Sequence, residues 1–300
     1  MVHEDGSVSD HDFLQRLTLD RIDRDIFTGT CHSGAPLRAY GGQIAAQSLM
    51  AAGLTVEGSG RRVHSLHGYF LRPGQTKDAI TYLVDRPRDG GSFSTRFVRA
   101  VQHGETIFMM TASFAVADPG PEHQFTRPPA PDHDELAGIP RVLTVTSDPE
   151  AMGYPADSLI DLRPVEPMDT VALRAGRYEW MAWVRVTESL PDDPLIQACA
   201  LAYLSDLTMV STALSPHPEQ RGSLQLASID HAMWFHASAH ADDWLLFAQD
   251  TPVARDGHGL ARGLIFDGAG LLVASVVQES LMRTMRSKQS SHLGRPPAPV

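Results

Sequence analysis

The sequence predicts an α+β fold made of two tandem copies of one unit, each with a long central helix wrapped by an antiparallel β-sheet. Three observations predict it. Apolar residues recur at helical spacing ahead of each group of extended segments, turn-forming motifs join those segments, and the whole pattern appears twice in the 300-residue chain. A sheet curled around one helix is an economical way for such elements to bury their apolar faces.

The repeat is visible in the letters of the sequence. The phrase "RDGGSFSTRFVRAVQHGETIFMMTASFAV" in the first half returns as "RDGHGLARGLIFDGAGLLVASVVQESLM" in the second. An offset of 164 residues aligns His67 with His231 and Phe114 with Gln278. The two Arg-Asp-Gly turns lie 167 residues apart, so one short gap separates them from that register. We interpret the chain as a tandem duplication.

The first unit is predicted for residues 1–116. Apolar residues between Asp12 and Ile26 predict an opening helix, and "YGGQIAAQSLMAAG" predicts a second helix that stops at Gly53. Four strands follow, joined by Arg-Pro-Gly, Asp-Gly-Gly and His-Gly turns as in an antiparallel meander. Their sequences are "VHSLHGYFLRPG", "AITYLVDRPRDG", "SFSTRFVRAVQHG" and "ETIFMMTASFAV".

The pattern of helix and strands resumes after a stretch of different composition. Residues 117–170 include the proline-rich "ADPGPEHQFTRPPAPDHDELAGIP", which predicts a connector over the surface. The second unit, predicted for residues 171–286, has the strand "MAWVRVTESL" and the long helix "DDPLIQACALAYLSDLTMVSTALSP". Its later strands are "LQLASIDHAMWFHAS", "WLLFAQDTPVARDG", "HGLARGLIFDG" and "GLLVASVVQESLMR". Residues 287–300 are predicted to form a disordered tail.

Composition excludes several classes of protein. The chain is 42% hydrophobic and 20% charged, and its net charge of −11 argues against nucleic-acid binding. Its two cysteines cannot form a disulfide framework and are typical of a reducing compartment. The N-terminal residues do not resemble a secretory signal, and we expect no apolar run near the roughly 18 residues of a membrane span. We therefore expect a soluble cytoplasmic protein without a membrane span.

Charge is unevenly distributed along the chain. The stretch from Gly60 to Ala100 holds eight Lys or Arg residues and three acids, which gives it a net charge of +5. One interpretation is ordinary surface and strand-edge charge. The other is a local positive field that attracts a small polyanionic ligand.

The second long helix contains an acid where none is expected. Between Ile196 and Leu214 the helix is apolar almost all round, which is typical of a buried helix. Asp206 lies in the middle of this run, with Ala202 and Val210 one turn to either side. Burying an ionised carboxylate costs several kcal/mol unless partners satisfy it. Asp206 therefore predicts a specific polar site against this helix.

Two further polar residues are candidates for that site. Gln278 shares a strand face with Ala274 and Val276, so its amide is directed at the core and requires partners. Ser228 is less clear, because strict alternation places it with Asp230 on the exposed face of its strand.

At these residues the sequence resembles the acyl-CoA thioesterase II family, which has the double hotdog fold. The resemblance covers most of the chain. The segments that carry it are "YGGQIAAQSL", "VHSLHGYFLRPG", "RDGGSFSTRFVRAVQHGETIFMMTASF", "LAYLSDLTMV", "SIDHAMWFH" and "VASVVQESLMR".

The resemblance implies a function and a set of residues. Family members hydrolyse fatty acyl-CoA to a fatty acid and coenzyme A, using an Asp, a Thr or Ser, and a Gln to hold the attacking water. These fall on Asp206, Ser228 and Gln278, with Ser228 where the family more often has Thr. Phe114 stands in place of Gln278 in the first unit, so one site per chain is expected. The resemblance also implies a homo-oligomer, and the motifs of the sequence lead us to expect no cofactor or metal.

Thioester hydrolysis further needs a base and a donor for the oxyanion that develops on the carbonyl oxygen. Asp206 is the expected base. The donor is expected to be a backbone N–H at a helix start, either near Gly41–Gly42 or around Ile196. The positive stretch between Gly60 and Ala100 is the candidate for the anionic end of coenzyme A.

Other functions fit the residues less well. A hotdog dehydratase resembles its relatives in a D-x-N-P-x-H loop, but "LTMVST" follows Asp206. A metal hydrolase would need His231 and His236 together, yet they have opposite strand parity, which favours structural or hydrogen-bonding histidines. "GHGLARG" is not the G-x-G-x-x-G dinucleotide motif. A non-catalytic acyl-CoA binding protein would need the channel but none of the three polar residues.

Overall fold

The computed structural model describes residues 12–31, 38–137, 159–165 and 179–285. The helices in these ranges are α1 (Phe13–Leu17), α2 (Gly41–Gly53), α3 (Pro194–Ser205) and α4 (Met209–Leu214). The first-half strands are β1 (Asp20–Asp23), β2 (Ile26–Gly29), β3 (Arg62–Phe70), β4 (Ile80–Asp89), β5 (Phe93–Gln102) and β6 (Glu105–Ala115). The second-half strands are β7 (Ile160–Val165), β8 (Glu179–Val186), β9 (Leu224–Ser228), β10 (Asp230–Phe235), β11 (Leu245–Arg255), β12 (His258–Phe266) and β13 (Leu272–Thr284). In the described part of the chain, 3-10 turns span His133–Glu135 and Pro218–Gln220.

The strands form one antiparallel sheet built from two similar halves. Its order is β1-β2-β4-β5-β6-β3-β10-β13-β12-β11-β8-β7, and β9 pairs with β13 beside this path. Strands of the first half therefore occupy one side and strands of the second half the other. The two sides are joined by the β3–β10 pair, in which Leu66 lies opposite Met233. The predicted tandem arrangement of two helix-and-sheet units is confirmed.

The alignment of the two halves holds at one of the two residue pairs named above. Phe114 and Gln278 are both buried on the core side of their strands, as the offset of 164 requires. His67 pairs with Ala232, whereas His231 pairs with Gly68, so the two histidines face opposite sides of the sheet. The His67–His231 alignment was therefore wrong. Successive side chains of a strand point to opposite faces, so an alignment that is off by an odd number of residues matches side chains on opposite faces.

The predicted opening helix is much shorter than its apolar pattern indicated. Helix α1 ends at Leu17, and the chain then forms the β1–β2 hairpin, with Asp25 in the turn at a φ of 60°. Strand β2 pairs with β4, which places Phe27 opposite Tyr82 and buries both rings. Ile22, part of the apparent helical period, is 61% exposed. Pairing with the sheet thus overrides local periodicity.

The predicted connector contains regular structure as well. Strand β7 lies within it and pairs with β8, while residues 138–158 and 166–170 lie outside the described ranges. The earlier part runs along the second half, where the Trp183 indole N–H donates to Pro131 O at 2.9 Å and His133 stacks on Trp244. The predicted tail, residues 287–300, also lies outside the described ranges.

The two central helices lie side by side and run in opposite directions. Gly41, at the start of α2, lies next to Asp206 at the end of α3, and Gly53, at the end of α2, lies next to Leu195 at the start of α3. Helix α2 ends at Gly53, as predicted. The second helix begins at Pro194 after the N-cap Asp193, and a turn at Asp206–Thr208 divides it into α3 and α4.

The segment Pro194–Leu214 spans 21 residues and is apolar enough, by length and composition, to cross a membrane. The expectation that no run approaches this length was therefore wrong. Within the fold, 78% of its most apolar window is buried, because the second-half sheet and α2 surround it. The core helix of a water-soluble protein passes the same test.

Glycines at the start of α2 allow the close helix contact. A Cβ atom on Gly42 would lie 2.6 Å from the carbonyl oxygen of Tyr203 in α3. We therefore expect Gly42→Ala to lower the free energy of unfolding by about 1–3 kcal/mol, because backbone atoms of α3 cannot move aside as a flexible side chain would. Urea titration measures this. Gly91→Ala is the matched control, since nothing lies within 4 Å of its Cβ position. Equal losses in the two variants would contradict this account of the helix contact.

Candidate active site

Asp206 lies where α3 ends, so the helix break explains how its carboxylate fits among apolar neighbours. The residue is only 6% exposed. Its carboxylate faces the first turn of α2, where it accepts a hydrogen bond from the Gly42 N–H. Helix α2 has no side-chain cap of its own at Tyr40. The carboxylate therefore satisfies a backbone N–H that would otherwise lack a partner and lies at the favourable end of the helix dipole.

A polar cluster behind the break holds the turn in place. The buried amide of Gln249 donates to the Thr208 hydroxyl at 2.6 Å and accepts from the Thr212 hydroxyl at 2.8 Å. These bonds tie strand β11 to both sides of the start of α4. The orientation of the Asp206 backbone thus depends on tertiary contacts as well as on the helix itself.

Ser228 faces the site because of a β-bulge. In strand β9 Ser228 pairs with Ser280, while the register of β10 places Ala232 opposite Val277. The two registers differ by one residue, so Ser228 and Ile229 together lie opposite one residue of β13. A one-residue slip turns side chains to the other face. The expected exposed position of Ser228 was therefore wrong: it is partly buried, on the same side of β13 as Gln278.

Gln278 completes the set of three predicted residues. It is fully buried on the core side of β13, and its amide nitrogen donates to the Ser228 hydroxyl at 3.0 Å and also bonds the Asp206 carboxylate. The Ser228 hydroxyl lies 3.4 Å from Asp206 Oδ1. The structure thus brings together three residues that are widely separated in sequence.

Sequence reasoning missed two neighbours of this set. His231 is fully buried, with Nδ1 2.6 Å from the Gln278 carbonyl oxygen and Nε2 2.8 Å from the Ser205 hydroxyl. The sequence indicated only a structural or hydrogen-bonding histidine here, and gave no reason to single out Ser205. The signal for His231 is a polar ring at an inward-facing position of β10. His236 points elsewhere and bonds Ser275.

The cavity beside these residues is shared by both halves. It has a volume of about 430 Å³, and Asp206 and Ser228 lie on its wall. The lining is Arg38, Ala39, Tyr40, Gly41, Ile44, Phe70, Leu71, Arg72, Pro73 and Gly74 from the first half, and Asp206, Val210, Gln225, Leu226, Ala227, Ser228 and Leu281 from the second. Apolar side chains with a few polar groups at one point are typical of a ligand site.

Burial sets the ionisation of Asp206. Desolvation raises the pKa of its carboxyl group above the ordinary value, while His231 and the hydrogen bonds from Gly42, Gln278 and Ser228 oppose that rise. A carboxylate with a raised pKa is a stronger base than an exposed one.

The two expected oxyanion donors differ in their position relative to the cavity. Gly41 lies on the cavity wall beside Asp206. The N–H of Ile196 already donates to the N-cap carboxylate of Asp193, at 3.1 Å, and Ile196 does not line the cavity.

Two cations of the positive stretch form ion pairs within the first half. Arg96 is buried and bonds Asp89 and Thr55, and Arg86 pairs with Asp25. Among the Lys and Arg residues of that stretch, all of which the structure describes, Arg72 alone lines the cavity, and Arg38 joins it from outside the stretch.

One group of possible metal ligands occurs in the described part of the chain. It consists of Asp132, His133 and Asp134 in the connector, and both carboxylates are exposed. None of the three lines the cavity.

The paired halves, each wrapping one central helix, define a double hotdog protein. A model of the acyl-CoA thioesterase family matches residues 166–281, and a model of the acyl-CoA thioesterase N-terminal domain matches residues 31–115. The chain belongs to the acyl-CoA thioesterase family.

Individual relatives agree in length with this chain. The human protein named acyl-coenzyme A thioesterase 8 is 36% identical over 289 residues, covering 92% of this chain and 90% of its own length. Acyl-CoA thioesterase 2 of Haemophilus influenzae is 37% identical over 284 residues, covering 91% and 97%. The crystal structure of the acyl-CoA thioesterase II TesB2 from Mycobacterium marinum is 43% identical, with a TM-score of 0.78 over 90% of this chain and 98% of that chain.

Burial of the Asp206 carboxylate is expected to make the stability of the protein depend on pH. Because folding raises the pKa of Asp206, its ionised form is disfavoured in the folded state. The penalty is fully present above the folded-state pKa and disappears as the pH falls below the unfolded-state pKa. We expect Asp206→Asn to raise the free energy of unfolding at neutral pH and this gain to shrink at acidic pH, as measured by urea titrations across the range. Asp192→Asn, at an exposed position, is the control. A gain that stays constant with pH would disagree with this assignment.

Proposed function

We propose that this protein is an acyl-CoA hydrolase that cleaves fatty acyl-CoA into a free fatty acid and coenzyme A. The observation that carries the proposal is the array of Asp206, Ser228 and Gln278 beside a cavity shared by both halves. Relatives of matching length are named acyl-CoA thioesterases, which supports the same substrate class. Binding without turnover, as in an acyl-CoA carrier or sensor, would leave the burial of Asp206 without a role.

In the proposed mechanism, water attacks the thioester carbonyl directly. Asp206 accepts a proton from a water molecule held beside it, and the water oxygen forms a bond to the carbonyl carbon. Ser228 and Gln278 donate hydrogen bonds to Asp206 and so orient the carboxylate that holds the water. The C–S bond then breaks, and the proton held by Asp206 passes to the departing thiolate. The products are a carboxylic acid and coenzyme A, and no covalent enzyme intermediate forms.

The first half contributes the oxyanion donor in this mechanism. The start of α2 directs backbone N–H groups towards the site, and Gly41 lies on the cavity wall. Its N–H is the proposed donor to the negative oxygen of the tetrahedral intermediate, assisted by the positive end of the helix dipole. Phe114 occupies the place of Gln278 in the first half, which supports one site per chain.

We also propose a cellular compartment and an oligomeric state for the protein. Buried free thiols at Cys31 and Cys199 suit a reducing compartment such as the cytoplasm. The outer face of the sheet carries Tyr69 and Trp234 on the two strands that join the halves, 42% and 44% exposed. Large apolar side chains at such a position favour a homo-oligomer.

Hydrolysis is tested by measuring free-thiol release from a panel of acyl-CoAs of about 4 to 18 carbons, because the apolar depth of a ligand site decides which chains it accepts. We expect Asp206→Ala to lower kcat by about 10²–10⁴-fold, the usual contribution of a general base.

Ser228→Ala should lower kcat by about 10- to 100-fold, because one hydrogen bond to a charged group is lost. Ser228→Thr is its control and should retain most activity. Acyl-CoA binding without turnover by the wild type would favour the carrier.

The two arginines on the cavity wall are the proposed contacts for the anionic end of coenzyme A. Arg72 also bonds Glu105 and the Thr106 carbonyl, which holds its guanidinium in place. We expect Arg38→Ala and Arg72→Ala each to raise KM for acyl-CoA by about 5- to 20-fold with little change in kcat. Arg99→Ala, at an exposed position of β5, is the control. A lower kcat at unchanged KM would count against these contacts.

A further inference from the structure

We propose that His231 is a positioning residue of this site, because it fixes the orientation of the Gln278 amide and thereby directs the NH₂ group of that amide towards Ser228 and Asp206. The proposal rests on the proposed hydrolase function. It starts from one observation: Nδ1 of the buried His231 ring lies 2.6 Å from the Gln278 oxygen.

The direction of each bond follows from the carboxylate outwards. Ionised Asp206 can only accept, so the hydroxyl hydrogen of Ser228, 3.4 Å away, points to Oδ1. Ser228 Oγ then accepts from Gln278, and the group 3.0 Å away must be the NH₂ of the amide. The carbonyl oxygen of Gln278 consequently faces His231, and Nδ1 must carry a proton.

The other side of the ring returns to Asp206. His231 Nε2 lies 2.8 Å from the hydroxyl of Ser205, the residue immediately before Asp206. Ser205 also lies within 2.8 Å of the Ala202 carbonyl in the last turn of α3. His231 therefore links the strand that carries Gln278 to the helix end that carries Asp206. The hydrogen-bonded series that starts at Asp206 returns, through Ser205, to the residue beside it.

Burial prevents water from replacing the histidine. His231, Ser205 and Gln278 are all fully buried, so a lost donor leaves the Gln278 oxygen without a partner. The amide would then gain by turning its NH₂ away from Ser228 towards another acceptor. A flipped amide would present its oxygen to the site, where it would face the carboxylate of Asp206. His231 thus acts on the reaction through Gln278, without contact with the substrate.

Two variants separate this role from a role in folding. In His231→Asn the side-chain nitrogen occupies the position of Nδ1 and can still donate to Gln278, while His231→Gln places its nitrogen near Nε2, towards Ser205. Both remove the ring, so similar losses of thermal stability are expected. We expect His231→Gln to lower kcat about 10- to 100-fold with KM changed less than about 3-fold, and His231→Asn to recover most of that loss.

A double-mutant comparison tests whether His231 affects kcat through Gln278. In a Gln278→Leu background the Asn and Gln variants of His231 should have equal kcat values, because the amide on which His231 acts is gone. Two results would overturn the proposal. One is equal kcat values for the two variants when Gln278 is present, and the other is the same difference between them persisting in the Gln278→Leu background.

One measurement does not depend on turnover. In protein labelled with ¹⁵N at histidine, the Nδ1 proton of His231 should give a slowly exchanging low-field signal that shifts in Gln278→Leu. An Nδ1 without a proton in the wild type would overturn the positioning role even if the enzyme is active. Absence of thiol release together with the expected signal would refute the hydrolase function and leave the His231–Gln278 bond established.

Discussion

The buried carboxylate of Asp206 is the constraint on which the arrangement of the site depends. A charge in this position is costly unless hydrogen-bond donors surround it. The donors come from three separate elements: the Gly42 N–H at the start of α2, Ser228 at the end of β9, and Gln278 in β13. Satisfying one acid therefore requires the helix contact, the β-bulge and the strand register to be correct at the same time.

This requirement gives the two halves different tasks. The second half supplies the acid, the hydroxyl and the amide, while the first half supplies the helix start that faces them and much of the cavity wall. Each half buries its own helix, yet neither forms the site alone. Duplication of one unit followed by divergence of the polar positions, with Phe114 in place of Gln278, accounts for both the symmetry of the sheet and the single set of polar residues.

The polar side chains that surround the second helix form two groups with different consequences. Gln249 with Thr208 and Thr212 fixes the turn after α3, and His231 with Ser205 fixes the chain just before it. None of these five residues lines the cavity. Because each buried polar atom in these groups has a partner, the site can keep a carboxylate of raised pKa without loss of a defined geometry.

The sequence by itself determined the tandem repeat, helix α2, the main strands and the candidates Asp206 and Gln278, because apolar periodicity and a polar residue on an apolar face are local signals. The resemblance to a family supplied Ser228. Only the tertiary structure decided the β1–β2 hairpin, the break after Ser205, the inward position of Ser228 and the contacts of His231. Each of these depends on pairing with distant strands or helices, where a register shift of one residue decides which face a side chain occupies.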